Sequence, residues 1–142
     1  MQKILENSQK IAILGLSSDP TKASNVVAKY LKEKGYIIIP IHPKGGEILG
    51  IKAYTSMQEA FRYETNIDIL NIFRKSEILL EVAQEILTLP YFPKCVWVQL
   101  GLSNKEAKDL LETNKIIYFE NACIKIEHQR IFNASNLKNH GC

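Results

Sequence analysis

The sequence predicts an α/β fold: a Rossmann-like doubly wound parallel sheet of about five strands in three αβα layers. Three observations predict it. Short apolar runs alternate with helical patterns from Ile11 to Phe119, the order that parallel strands with right-handed crossovers require. The run Tyr36–Ile41 (YIIIPI) is continuously apolar, as a strand covered on both faces should be. The stretch Lys10–Ser24, KIAILGLSSDPTKAS, passes from an apolar strand through a glycine to a helix start. That is the opening of a nucleotide-binding βαβ unit.

The elements follow in order. Met1–Gln9 reads as a short helical lead-in, with Ile4 and Leu5 packing on the domain. Strand one is Ile11–Leu14. Helix one runs from Lys22 to Lys34, with Ala23, Val26, Val27, Tyr30 and Leu31 at helical spacing,. Gly35 then stands where a left-handed residue ends a helix. Strand two is Tyr36–Ile41, followed by the polar loop His42–Glu47 and a short extended piece at Ile51–Tyr54. Ser56-Met57-Gln58-Glu59 is a capping box that opens a helix ending near Tyr63,. Strand three is Ile67–Phe73. Helix three spans Ser76–Leu87, with Ile78, Leu79, Val82, Ala83, Ile86 and Leu87 on one face,. Pro90 and Pro93 precede strand four, Cys95–Leu100. Ser103-Asn104-Lys105-Glu106 reads as a second capping box, and strand five is Ile116–Phe119. Cys123–Ile131 packs a last turn on the sheet, and Phe132–Cys142 is polar enough to fray,. The 142 residues thus read as one domain, with a core of residues 10–131 and a polar tail of residues 132–142,.

Composition narrows the function classes. An apolar share of 46% with 23% charged residues is that of a soluble globular protein,. A net charge of +3, with lysines scattered among glutamates, forms no basic stripe for nucleic acid,. No apolar run reaches the ~20 residues that cross a bilayer, and MQKILENSQK has no secretory core,. The expectation is a cytoplasmic protein that binds neither nucleic acid nor membrane. Cys95, Cys123 and Cys142 are too few and too scattered for a disulfide framework,. Cys123 and His128 alone do not make a metal site.

Ligands of open parallel sheets sit outside the carboxyl ends of the strands. Here those ends are Gly15–Pro20, His42–Gly46, Phe73–Arg74 and Gln99–Gly101. Gly15 permits a tight turn and a close ligand approach. Ser17 and Ser18 offer hydroxyls, and the helix N-terminus beyond them faces an anion. The loop has only one glycine and matches neither G-x-G-x-x-G nor G-x-x-x-x-G-K-[ST]. Taken locally, it fits an ordinary βα turn as well as a phosphate loop. An NAD site places an acidic residue at the end of strand two, whereas this chain has Ile41-His42-Pro43-Lys44,. A lysine there suits a ribose phosphate, which favours coenzyme A or NADP over NAD. A solvated surface lysine accounts for Lys44 equally well.

Five separated stretches carry a wider resemblance: GLSSDPTKASNVVAKYLKEKGY, IPIHPKGGEILGIKAYTS, DILNIFRKSE, VWVQLGLSNKEA and NACIKIEH. In this order, over Lys10 to Ile131, the chain resembles the small stand-alone coenzyme A-binding proteins. Their fold is similar to the N-terminal domain of the succinyl-CoA ligase α subunit. The sequence departs from that pattern at His42, where asparagine is usual, and at Lys22, where arginine is common. It also has Asn121-Ala122 where an acidic-basic pair is more usual. The resemblance implies that Gly15, Ser17 and Ser18 line a pyrophosphate, with Lys22 and Ser24 opening the helix beside it. It implies that His42, Pro43 and Lys44 flank the adenosine end and that Phe73 and Arg74 form the opposite wall. Gln99, Leu100 and Gly101 then lie towards the pantetheine arm.

The implied function is binding of coenzyme A or an acyl-CoA, a small nucleotide ligand, without catalysis of its own. In the succinyl-CoA ligases the phosphorylated histidine lies in a further domain, and this chain ends before one could begin. His42, His128 and His140 have no visible carboxylate or nucleophile partner,, and His128 reads as a structural hydrogen-bonding residue. The rival reading is an NAD(P)-dependent oxidoreductase or a redox-sensing dinucleotide-binding regulator. A partner enzyme or a homo-oligomer is compatible with either.

Overall fold

Alternation within the strands decides the layers. In the computed structural model, which describes residues 1–139 and side-chain surroundings through residue 133, five parallel strands form one sheet. They are β1 (Lys10–Leu14), β2 (Ile37–Ile41), β5 (Ile69–Ile72), β6 (Cys95–Val98) and β7 (Ile117–Phe119), in the order β2-β1-β5-β6-β7. Successive side chains point to opposite faces. Ala12, Leu14, Ile39, Ile41, Leu70, Ile72, Val96 and Val98 therefore belong to one core, and Ile11, Ile13, Ile38, Ile69, Cys95 and Trp97 to the other.

The first core is closed by α3 (Met57–Tyr63), α4 (Leu79–Ile86) and α5 (Lys105–Thr113). The second is closed by α1 (Gln2–Asn7), α2 (Ala23–Glu33) and α6 (Ile124–Asn139). This is the predicted three-layer Rossmann-like fold. Leu5 of the lead-in helix is buried, as its apolar character predicts. Between β2 and α3 the chain makes a small hairpin of β3 (Glu47–Ile48) and β4 (Ile51–Lys52). Its two-residue turn has positive φ at both Leu49 and Gly50, as a type I′ turn requires.

Four details correct the expectations. On α2 the buried face is Ser24, Asn25, Val27, Ala28 and Leu31, while Ala23 and Val26 are exposed. The helix has turned its polar first turn inward, for a reason given below. Helix three starts with a 3₁₀ turn, Ser76–Ile78, before α4. The cap of α5 is Asn104, whose Oδ1 accepts the Ala107 N–H at 2.9 Å. Ser103 is one residue too early; its N–H donates to Ser76 Oγ at 3.1 Å. Finally, α6 continues to Asn139 instead of ending at Ile131. Residues 140–142, with the frayed end expected there and with His140 and Cys142, lie outside the described residues.

Candidate functional site

The strand register puts the candidate residues at one rim. Leu14 pairs with Ile41 and Ile72, and Ile72 pairs with Val98. The residues that follow, Gly15, His42, Phe73 and Gln99, therefore leave the sheet side by side. β1 lies between β2 and β5, so the chain changes direction across the sheet there. An open α/β sheet has its binding crevice at such a point.

Gly15 is the pivot. Its N–H donates to Ile41 O at 3.1 Å, and Phe73 N–H donates to Leu14 O at 2.9 Å. Its φ is +86°, and a Cβ there would lie 2.5 Å from Phe73 O and 3.3 Å from Arg74 Cδ. Phe73 and Arg74 thus stand directly against Gly15. The glycine is demanded by the neighbouring strand, whether or not a ligand approaches.

Beyond Gly15 the loop is stitched to the helix start. Ser17 N–H donates to Ser24 Oγ at 2.9 Å, Asn25 Nδ2 donates to Ser17 O at 2.9 Å, and Asp19 N–H donates to Ser17 Oγ at 3.0 Å. Burial of Ser24 and Asn25 follows from these bonds, because polar groups taken from water need partners. Hydroxyls that accept still have a proton to donate, so Ser17 and Ser24 keep donor capacity. Ser18 and Lys22 are exposed. Asp19 accepts the Thr21 N–H and hydroxyl at 2.9 and 2.7 Å. Those bonds, backbone first, and then the nearby Lys22 charge hold its carboxyl below the ordinary carboxylate range. α2 has no side-chain cap at Lys22. Among the described residues no backbone carbonyl accepts the N–H groups of Ala23 and Ser24. They are the unsatisfied donors of a helix start.

At the end of β2, His42 Nδ1 accepts the Lys44 N–H at 3.1 Å, and Gly45 N–H donates to His42 O at 2.9 Å. A ring nitrogen accepting from residue i+2 does the work of an asparagine in an Asx turn. Histidine thus closes here the kind of turn that an asparagine side chain can close,. Pro43 and Lys44 are exposed on it. Next to this turn lies a cleft of about 270 Å³ whose walls include Leu14, Pro43, Ser56, Arg74, Glu81 and Glu85. Pro43 and Arg74 were expected at the site. The helix residues were not, because α3 and α4 carry no local signal that they face the rim.

At the end of β6, Leu100 is 57% exposed, whereas Gln99 is buried. Gly101 has φ +86°, and its N–H donates to Asn121 Oδ1 at 2.7 Å. Asn121 is itself in the left-handed region, at φ +52°, which asparagine tolerates better than most residues. Gln99 Oε1 and Asn71 Oδ1 are buried and have no hydrogen-bond donor among the described residues. Asn71 donates from Nδ2 to Trp97 O at 3.0 Å. Sequence reasoning missed Asn71. A fully buried carboxamide inside the apolar run DILNIF was the available signal, since such groups need a partner.

His128 lies away from this rim, in a ring cluster with Tyr30, Tyr36 and Phe132. It shares a 2.7 Å hydrogen bond with the Tyr30 hydroxyl. Among the described residues no group of three or more His, Cys, Asp or Glu could hold a metal ion. No helix among them is long and apolar enough to cross a membrane.

Comparison with known proteins bears on the fold and the family. The uncharacterized protein YneT of Bacillus subtilis is 40% identical over 130 residues, covering 90% of this chain and 91% of that protein. A solved structure described as cell-free ID.343 from Thermus thermophilus superposes with a TM-score of 0.82 at 31% identity, covering 91% of this chain and 94% of the other. The α subunit of an ADP-forming acetate–CoA ligase II of Pyrococcus furiosus is 41% identical over 54 residues, 37% of this chain and 12% of that protein. The family model described as a CoA binding domain matches residues 9–129, and the chain belongs to that family.

Proposed function

We propose that the chain, acting as one domain, binds coenzyme A or an acyl-CoA across the carboxyl ends of β1, β2, β5 and β6 without catalysis of its own. The observation that carries this reading is the uncapped start of α2 behind the Gly15 turn, at the point where strand order reverses. An anion set there accepts from N–H groups that have no other acceptor among the described residues and lies at the positive end of a helix dipole. Gly15, Ser17 and Ser18 then line the pyrophosphate, with Lys22 and Ser24 beside it. His42, Pro43 and Lys44 flank the adenosine, facing Phe73 and Arg74. Gln99, Leu100 and Gly101 border the pantetheine arm.

The cleft beside Pro43 suits an adenine base. Leu14, Ile41, Met57 and Val82 supply an apolar lining, and Glu81 and Glu85 supply acceptors for an exocyclic amino group. The same two carboxylates disfavour a phosphate at that wall, which leaves the ribose phosphate to the Lys44 side. A cytoplasmic location and delivery of the ligand to a partner enzyme both fit a binding module of this kind.

Thermal unfolding with each candidate ligand tests the proposal. Coenzyme A at about 100 times its Kd should stabilise the protein by roughly 2.7 kcal/mol, and NAD at equal concentration should do markedly less. Stabilisation by NAD with none by coenzyme A would refute the proposal.

A further inference from the structure

We infer that Cys123 is a covalent partner for the pantetheine thiol, so that this rim can hold coenzyme A as a mixed disulfide. The inference rests on the binding reading above and adds a reactive residue to it. Of the two free cysteines described, Cys95 lies inside β6 at 0% exposure, and burial pushes its thiol up to about 12. Cys123 keeps 8% exposure and stands immediately before α6.

Its position is tied to the end of β6 by four hydrogen bonds through the two preceding residues. Gly101 N–H donates to Asn121 Oδ1 at 2.7 Å, and Asn121 N–H donates to Leu102 O at 3.0 Å. Ala122 N–H donates to Val98 O at 3.4 Å, and the Trp97 indole N–H donates to Ala122 O at 3.0 Å. Cys123 is therefore held next to Gln99–Gly101, where the pantetheine arm is proposed to run.

A second and independent observation points to a ligand there. Gln99 Oε1 and Asn71 Oδ1 are buried acceptors without a donor, and a buried unpaired polar atom costs free energy until something pairs with it. Asn71 is paired in register with Trp97 on β6, and Gln99 lies two residues beyond Trp97. By the alternation of a strand, the three side chains share one sheet face. Cys123 packs in the core of that same face. A pantetheine arm carries amide N–H groups, which are the donors these oxygens lack, and ends in a thiol.

The step is thiol–disulfide exchange with the symmetrical disulfide of coenzyme A. The Cys123 thiolate attacks one sulfur of that disulfide. A protein–coenzyme A S–S bond forms as the ligand S–S bond breaks. The departing coenzyme A leaves as a thiolate and takes a proton from water. The protein sulfur is oxidised and the departing one reduced, so no further oxidant is needed.

The test uses the full chain carrying Cys142→Ser, which removes a competing thiol. Incubation with coenzyme A disulfide, followed by intact-mass measurement and peptide mapping, should find one coenzyme A on Cys123 and none on Cys95. Dithiothreitol should release it, and Cys123→Ser should abolish it. The adduct should form roughly 10-fold faster than with cystamine at equal concentration, because binding positions the attacked sulfur. Absence of the adduct, or equal rates with both disulfides, would overturn the inference. Desulfo-coenzyme A, which has no thiol, separates the two readings. If it stabilises the protein while no adduct forms, binding stands and the covalent role of Cys123 falls. If neither it nor coenzyme A stabilises the protein, the binding reading itself falls.

Discussion

Gly15 illustrates how a residue read correctly can have more than one cause. Its place after an apolar run was legible, because only glycine enters such a turn without a steric penalty. Legibility stopped at the neighbour, since the 2.5 Å approach to Phe73 O depends on a strand more than fifty residues later. His42 was likewise visible only as a departure from asparagine until its ring was seen to accept the Lys44 N–H. The chain provides its own control for Gly15. Gly101 has the same φ of +86°, but a Cβ there meets nothing within 4 Å. Gly101→Ala should therefore cost only the backbone term, on the order of 1–2 kcal/mol. Gly15→Ala should cost more, even without ligand, because Phe73 O must also move. Denaturant melts of the two variants measure the difference. Equal losses would mean that the Phe73 carbonyl gives way freely and that the strand contact is not what requires glycine.

Among the elements, long apolar periodicity was read well and local polar geometry poorly. The five sheet strands and the helices between them fell where alternation and spacing indicated. Of the β3–β4 hairpin only β4 was legible, within the extended piece Ile51–Tyr54, because the turn is Leu49-Gly50, without the asparagine or aspartate that signals a type I′ turn,. The buried face of α2 was misjudged because Ser24 and Asn25 are polar, and their burial follows from bonds to Ser17 across the loop. The α3 cap was read correctly: Ser56 Oγ accepts the Glu59 N–H at 3.1 Å. Glu59 reaches back to Thr55 N–H, not to that of Ser56. The α5 cap was placed one residue early, since Ser103 and Asn104 both suit the position and spacing favours Ser103. Asn104 also donates from Nδ2 to Ser76 O at 3.3 Å, joining the start of α5 to the turn before α4. Asn104→Ala should thus cost about 1–2 kcal/mol, and Ser103→Ala should stay within about 0.5 kcal/mol. Thermal or urea unfolding of both variants checks the order, and a larger loss for Ser103→Ala would restore the earlier cap.

Over the whole molecule, the two ends of the sheet carry different chemistry. The carboxyl ends hold the candidate site, whose outline was legible because the topology rule needs only the order of elements. The amino ends hold ionisable groups whose roles depend on partners far away in sequence, so their settings were not legible. Burial alone would raise the Asp68 carboxyl. The N–H groups of Gln9 and Lys10 and the Lys94 ammonium outweigh it and leave the group below its ordinary 3.8. At His128, burial first and then the Lys34 charge hold the imidazole below its ordinary 6.5. Both shifts mean that the folded chain binds fewer protons than the unfolded one, so stability falls with falling pH. The Asp68 contribution is complete above 3.8 and is lost only as the pH drops through its lower folded value. The His128 contribution is complete above 6.5 and is lost as the pH falls from there through its folded value. Between pH 7.5 and 5, His128 is therefore the one of these two groups that acts. The melting temperature should fall over that interval, and His128→Gln should flatten the fall whatever it does to the stability at pH 7.5. Tyr30, the hydrogen-bond partner of His128, lies seven residues along α2 from Ala23 at the proposed anion site, roughly 10 Å at ~1.5 Å per residue. Sites that far apart act independently, so the stabilisation given by coenzyme A at pH 7.5 should be the same in His128→Gln as in the wild type. An unchanged pH slope in the variant would remove His128 as the titrating group. A loss of the coenzyme A effect would show that the two ends are coupled.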